Sequence, residues 1–394
     1  MAPDALNPER RSKADALVAW LLGDARRLRD ANDILTGMCG RLIEAGLPLD
    51  RATTAIEVLH SERAGVSRRW ERGKGAQEFT LDYGPQTAEV IAASPFKAAH
   101  DSGDWLILKL AEMPDDAFTI IPELKAEGYR HYVCAPVAFI NGMLSGFTFA
   151  TKAPDGFSAQ DIAVLRAIFP ALATLMEVLA LTRILNEVLR LYVGDEPRKR
   201  ILAGDVHRGQ VTRIRSAILF ADMRGFTSLS MGLEAEQVTD LLNRYYDCVV
   251  PHVEGRGGEV LKFIGDGVLA IFRSGPEVAA PGPRALAAAR ASLAAVDGLN
   301  RERGDHPPFD VGIGLHVGEA AYGNVGSGQR LDFTVIGRDV NIASRIADLC
   351  GRLEKRLLVS AAFSETVAGE AAEDLGAFEL KGVGTAQAVY ALEI

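Results

Sequence analysis

The segment Glu259-Val260-Leu261-Lys262-Phe263-Ile264-Gly265-Asp266-Gly267-Val268-Leu269-Ala270-Ile271-Phe272 limits the fold of this chain more than any other. Two β-rich apolar runs flank a Gly-Asp-Gly triplet, a pattern that predicts an antiparallel hairpin with Asp266 thrust outward at its tip. Taken alone, an ordinary hairpin loop explains the triplet equally well. A second run, Ala217-Ile218-Leu219-Phe220-Ala221, predicts a buried strand ending at Asp222. Met223-Arg224-Gly225-Phe226-Thr227 follows as a Gly-containing turn into a helix. A carboxylate at a strand end can hold a hard cation, and the free N–H groups of such a turn can hold phosphate. An acid in that position is also a common cap. Two acids that share a site and bind Mg²⁺ would begin a phosphoryl-transfer centre.

A third element, Phe333-Thr334-Val335-Ile336-Gly337-Arg338-Asp339-Val340-Asn341-Ile342-Ala343-Ser344-Arg345, reads as a strand ended by Gly337 and then a helix from Val340. Asn341 and Arg345 are four apart and so share one helix face. A cap and a surface ion pair would account for them. Asn plus Arg on one face can also grip a ribose and a phosphate together.

Around these elements the order predicts a helix over 234–253, a helix over 283–301 and a strand over 310–316. That succession suits a ferredoxin-like α+β sheet. With 394 residues, 48% of them hydrophobic, the chain has material for two or three cored domains and is not a disordered one. Fifty-two acids against 43 bases leave a net charge of -9, which gives no global pull toward nucleic acid or anionic lipid. The four cysteines lie far apart and form no CxxC, a pattern that suits a reducing compartment. The N-terminus has no apolar core of a signal peptide, and the longest apolar stretch, 169–191, is interrupted by polar residues. A cytoplasmic protein without membrane insertion is expected.

The first half differs in character and holds all three tryptophans. Residues 11–30 read as a short helix ending in a charged turn, and 55–60 as a β-rich run. Residues 132–137 and 144–150 read as strands joined by the hairpin turn Asn141-Gly142. Ser158 is an expected N-cap, with Asp161 in the capping-box position, and it opens a long helix. In that helix Ile168, Leu172, Leu175, Leu179, Thr182, Asn186 and Leu189 alternate steps of four and three. The seam serves equally as an intermolecular coiled coil or as the face of a helix on its own sheet. Cys134, His60, His100 and His131 read as a core cysteine and ordinary surface histidines. The basic run Arg198-Lys199-Arg200 reads as a solvated linker.

The Ala135-Pro136-Val137 strand, the Gly146 strand and the helix entry FSAQDIAVLRAIFPALA resemble a GAF domain, a sensor fold with a central antiparallel sheet and flanking helices. FADMRGFTSLS, VLKFIGDGVLAIF, GLHVGEAAYGNVGS and FTVIGRDVNIASRI, in that order, resemble the class III nucleotidyl cyclase catalytic domain. The combined expectation is an N-terminal helical segment (1–24), a GAF-like regulatory domain (25–185), a helical linker (186–212) and a cyclase domain (213–394). The cyclase resemblance implies two metal-binding aspartates, Asp222 and Asp266, with Met223 beside the first, and two ions per site, Mg²⁺ or Mn²⁺. It implies that Lys262 and Thr334 read the purine, Asn341 orients the ribose, and Arg345 acts on the transition state. It further implies that Lys381 holds the terminal phosphates and that the Phe226-Thr227 turn holds phosphate. No position of the pattern is vacant, and no histidine base is required, so His316 and His252 are expected to be structural. The implied activity is ATP to cyclic AMP, in a homodimer whose sites each draw on both chains, under an unidentified small-molecule or protein regulator. Guanylate cyclase and a non-catalytic nucleotide-binding module are the alternatives. Lys262 disfavours guanine, because an ammonium cannot accept a hydrogen bond.

Overall fold

The computed structural model describes residues 6–28, 30–58, 63–275, 279–302 and 306–394. His60 and the end of the strand expected over 55–60 lie outside them. The chain divides into two units, Met1–Leu191 and Tyr192–Ile394.

The first unit contains helices α1 (Pro8–Leu22) and α2 (Ala31–Glu44), strands β1 (Arg51–Glu57), β2 (Arg63–Glu71) and β3 (Gly75–Asp82), and helices α3 (Pro85–Ala92) and α4 (Pro95–Ser102). Strand β4 (Leu106–Lys109), helix α5 (Ile121–Ala126), strands β5 (His131–Ala138) and β6 (Leu144–Thr151) and helix α6 (Ala159–Val193) complete it. The strands form one antiparallel sheet in the order β3-β2-β1-β6-β5-β4. The 141–142 turn joins β5 to β6, with Gly142 at φ 81°, as the sequence leads one to expect.

Helix α6 opens on the expected capping box: Ser158 N–H and Oγ–H donate to Asp161 Oδ2, and Asp161 N–H donates to Ser158 Oγ. Such a cap stabilises a helix by about 1 kcal/mol. The first half of the heptad seam serves this unit's own core. Ile168, Leu172 and Leu175 are buried and Leu179 packs against them. Each such side chain is stabilised by about 1.5–3 kcal/mol through burial. By length and composition α6 is a candidate membrane span; its apolar stretch carries the polar interruptions read in the sequence, and 39% of it is buried within the protein. His131 is also not a surface residue: it is 7% exposed, and its Nδ1 accepts the Phe157 N–H at 2.9 Å.

The second unit begins with α7 (Asp195–Leu202), β7 (Val211–Met223), α8 (Phe226–Ser230), α9 (Ala235–Glu254), β8 (Glu259–Ile264), β9 (Gly267–Arg273) and α10 (Pro281–Arg301). It continues with β10 (Val311–Gly326), β11 (Leu331–Ile336), α11 (Arg338–Arg352), β12 (Leu357–Ser360), α12 (Ala361–Ser364), β13 (Ala372–Phe378) and β14 (Gln387–Leu392). The strand order is β13-β14-β12-β10-β7-β9-β8, with β11 paired to β10. Its centre, β10-β7-β9-β8 with α9 and α10 as crossovers, is the βαββαβ ferredoxin-like arrangement. Leu219, Ala221 and Met223 of β7 point into the core under α9 and α10. Ile218 and Phe220 point to the other face, with Leu269, Phe333 and Val340.

Two expectations change here. The strand expected over 310–316 runs on to Gly326, because its second half pairs with β11. The basic run lies in α7, and Arg200 sits over the rings of Tyr322 (5.1 Å) and Phe333 (5.9 Å) instead of extending into solvent.

Candidate active site

Asp222 is the penultimate residue of β7 and, by alternation, faces the same side as Ile218 and Phe220. Asp266 sits between β8 and β9 at the tip of the predicted hairpin. Gly265, at φ 61°, takes a left-handed conformation that a side-chain-bearing residue would resist there. At Gly267 a Cβ would come within 3.1 Å of the Ile264 carbonyl, so the tightness of the turn itself favours glycine there. The tip is also pinned from the helix layer. Tyr246 Oη–H donates to the Gly265 carbonyl at 2.6 Å, and its ring lies 4.3 Å from that of Phe263.

The two carboxyl groups meet. Burial pushes the Asp222 pKa up to about 7, and the charge of Asp266, a hydrogen bond with it and the charge of Asp348 all act in the same direction. Like charges held together in a partly desolvated place favour a shared proton or a bound cation. This donor set therefore fits a divalent ion. Met223 turns its side chain into the core, so its main-chain carbonyl is what it can offer such an ion. Among the described residues no group of three or more His, Cys, Asp or Glu side chains converges. Main-chain and substrate oxygens would complete the coordination of an ion at this pair.

Lys262 and Thr334 lie on different strands, β8 and β11. Lys262 forms an ion pair with Asp332, two residues before Thr334. Thr334 is buried and pairs in register with Gly323. Gly323 in turn pairs with Val211 at the start of β7, whereas Asp222, near the end of β7, pairs with Gly312. Along β7 the Thr334 register and the Asp222 register thus stand eleven residues apart.

Helix α11 presents Asn341, exposed, and Arg345, which pairs with Asp348 at 2.8 Å while its buried Nε lacks a hydrogen-bond partner. The helix is seated on glycines of β10. A Cβ at Gly314 would lie 2.4 Å from the Ala347 nitrogen, one at Gly312 2.6 Å from Cys350 Cβ, and one at Gly318 2.1 Å from Asp339 Oδ2. Two glycines of GLHVGEAAYGNVGS, Gly314 and Gly318, are thereby explained. Below the turn, Arg224 N–H groups donate to Asp310 Oδ2 at 2.8 Å and to the carbonyls of Cys350 and Lys355, tying β7 to the end of α11.

Phe226 is half-buried and Thr227 exposed at the start of α8, and Lys381 is exposed in the turn between β13 and β14. His316 is buried with Nδ1 2.7 Å from Ser360 Oγ, and burial lowers its pKa. Sequence reasoning missed Tyr246, Asp332 and Asp348. Only Asp348 left a signal, its i,i+3 spacing from Arg345.

Residues 211–393 match the family model described as the adenylate and guanylate cyclase catalytic domain. An adenylate cyclase of Anabaena cylindrica is 36% identical over 162 residues, 40% of this chain and 31% of that protein. The crystal structure of the adenylyl cyclase CyaB from P. aeruginosa is 30% identical, covering 47% of this chain and 96% of that one, with a TM-score of 0.41. The structure of a bacterial light-regulated adenylyl cyclase is 17% identical, covering 87% of this chain and 94% of that one, with a TM-score of 0.50. The chain spans less than a third of the length of the curated relatives it matches. Its second half is a class III adenylate/guanylate cyclase catalytic domain.

Proposed function

We propose that the chain is an adenylate cyclase, converting ATP to 3′,5′-cyclic AMP and pyrophosphate. The observation that carries this reading is the meeting of Asp222 and Asp266, two carboxyl groups whose mutual repulsion only a proton or a cation relieves. When bound, two Mg²⁺ or Mn²⁺ ions would lower the pKa of the ATP 3′-hydroxyl and neutralise the triphosphate. The 3′-oxygen attacks the α-phosphate and the bond to pyrophosphate breaks. Asp222, Asp266 and the Met223 carbonyl would hold the ions. The turn at Phe226 and Thr227 holds phosphate through its N–H groups and hydroxyl. Asn341 orients the ribose, Arg345 stabilises charge on the α-phosphate, and Lys381 stabilises the leaving pyrophosphate. Lys262 and Thr334 read the purine, Lys262 donating to a ring nitrogen of adenine. Positioning and charge do most of the work, as in other phosphoryl chemistry.

In this reading two copies pair about a twofold axis. The register separation along β7 bears on Thr334 alone: its register stands eleven residues along the strand from that of Asp222, at a rise of about 3.4 Å per residue. One chain then supplies Asp222 and Asp266, and its partner supplies the nucleotide-gripping residues. The N-terminal unit serves as the regulatory domain, and α6 with the segment after it as the linker. The deciding experiment is product analysis of the purified chain with ATP or GTP, in Mg²⁺ and in Mn²⁺. Cyclic AMP as the main product supports the proposal, cyclic GMP redirects it to guanylate cyclase, and no product with either refutes turnover.

A further inference from the structure

Lys262 stands on β8 and Thr334 on β11, yet among the described residues no ladder joins these two strands: β8 pairs with β9, and β11 with β10. One direct link is the ion pair of Lys262 with Asp332. A second link is built from side chains, and helix α7 closes it. Glu196 Oε1 of α7 lies 3.2 Å from Arg273 Nη2 on β9, and Arg273 Nε lies 3.7 Å from Glu259 Oε2 on β8. Glu259 Oε1 accepts the Tyr322 O–H from β10. The Tyr322 ring stands edge-on to that of Phe333 on β11, with centroids 4.8 Å apart. Arg200, four residues after Glu196 on α7, lies over both rings. The loop of contacts thus runs from α7 through β9, β8, β10 and β11 and back to α7.

In this loop two carboxylates face two guanidinium groups, so its charges balance. Its aromatic centre is dry: Tyr322 is 0% and Phe333 7% exposed. A guanidinium over an aromatic face binds more strongly as water is excluded. The segment after α7 is pinned to the same strand. Asn324 Nδ2–H donates to the Asp205 carbonyl at 2.7 Å, the Gly209 N–H donates to the Asn324 carbonyl and the Asn324 N–H to the Gln210 carbonyl, both at 3.0 Å. Phe333 directly precedes Thr334, and Glu259 lies three residues before Lys262 on one short strand. By alternation Phe333 and Thr334 face opposite sides of β11, so α7 supports that strand from behind Thr334.

On the reading of Lys262 and Thr334 as the purine pair, we propose that Arg200 and Glu196 of α7 are positioning residues of the purine site, holding β8 and β11 at the separation at which Lys262 and Thr334 meet one base. Readout by hydrogen bonds tolerates displacements of about half an ångström. A loosened α7 therefore weakens the grip on adenine and blurs its distinction from guanine, while the Asp222–Asp266 pair is left in place.

The test compares Arg200→Met, Arg200→Lys and Glu196→Gln with wild type, each as the full chain. Arg200→Met should speed amide exchange at least tenfold in 259–264 and in 331–336 together, with 387–392 unchanged. The KM for ATP should rise fivefold or more with kcat changed less than twofold, and the ratio of kcat/KM for ATP over GTP should fall at least threefold. Arg200→Lys keeps a cation over the rings and should recover at least half of each effect. Glu196→Gln, at a half-exposed position, should shift KM and selectivity in the same direction and keeps the test decisive if Arg200→Met does not fold. Unchanged exchange in either strand overturns the proposal. So does a lower melting temperature with KM and selectivity unchanged, which marks a purely structural contact. Equilibrium dialysis with ATP and GTP separates the two readings. Wild type that binds neither removes the purine pair and α7's role with it, whereas wild type and variants that bind equally well remove α7's role alone.

Discussion

The two units solve the same physical problem in opposite ways. Each buries charge beside a largely antiparallel sheet. In the first unit buried charges find opposite partners: Arg51 is held by Glu123 and Glu127, Arg68 by Glu78, and Asp161 by Arg10. In the second unit Asp222 is placed beside Asp266, and everything acting on it raises its pKa. A fold that can pair its buried charges and does not do so at one place has a use for the imbalance. Unrelieved charge is thus a better pointer to chemistry than burial of charge alone.

The largest expected effect breaks this contrast outright. Asp222→Ala and Asp266→Ala should each lower cyclisation by about a thousandfold or more while the fold persists. Retention of most wild-type turnover by either would remove the metal-pair reading. Mixing inactive Asp266→Ala with inactive Arg345→Ala should restore about a quarter of wild-type activity, since half the dimers are mixed and each has one intact site of two. No recovery despite demonstrated subunit exchange would mean that the residues act within one chain.

Next in size is Gly314→Val. Its side chain has no space against the Ala347 backbone, so α11 must lift, at a cost of about 1–3 kcal/mol in chemical denaturation. Activity should fall further than stability, because Asn341 and Arg345 ride on that helix. An unchanged rate would detach them from the chemistry.

The third test uses pH. The folded-state pKa of Asp222 is raised from 3.8 to about 7, so the folded protein keeps a proton that the unfolded chain releases. The stability from this group is present below the unfolded value and is lost as pH rises through about 7. In metal-free protein Asp222→Asn should therefore melt higher than wild type at pH 8 and no higher at pH 4. Mg²⁺ should raise the melting temperature of wild type at pH 8 and leave that of the variant nearly unchanged. A variant that melts lower than wild type at pH 8 would contradict the repulsion.

The smallest effect belongs to Tyr246→Phe. It removes one hydrogen bond to the Gly265 carbonyl, worth about 1 kcal/mol. The KM for Mg²⁺ should rise several-fold with kcat little changed, since a loosened tip weakens ion binding first. A selective fall in kcat would give the hydroxyl a different part.

What the sequence revealed and what it hid follow the range of the interactions. The hairpin around Asp266 and the strand ending at Asp222 were legible because periodicity and a Gly-Asp-Gly turn are local. The second half of β10 was not, because glycines ordinarily weaken a strand and its partner β11 had to be known first. Asp332 became visible only through the meeting of two strands, and Tyr246 only through the packing of α9 over the hairpin. That only the first half of the heptad seam enters the core was hidden for the same reason: the stripe was readable, its neighbour was not.

The glycine seat beneath α11 has a mechanical consequence. Side chains between a helix and a sheet act as a deformable layer: they change rotamer and absorb small shifts. At Gly312, Gly314 and Gly318 the strand's half of that layer is missing: at Gly314 backbone meets backbone, and at Gly312 and Gly318 the strand backbone meets the short side chains of Cys350 and Asp339. Strand β10 and α11 should therefore move as one stiff body. A displacement of β10 of even half an ångström arrives at Asn341 and Arg345 undamped, on the scale at which catalytic geometry is lost. Stiffness at this joint makes the site sensitive to whatever moves the strand.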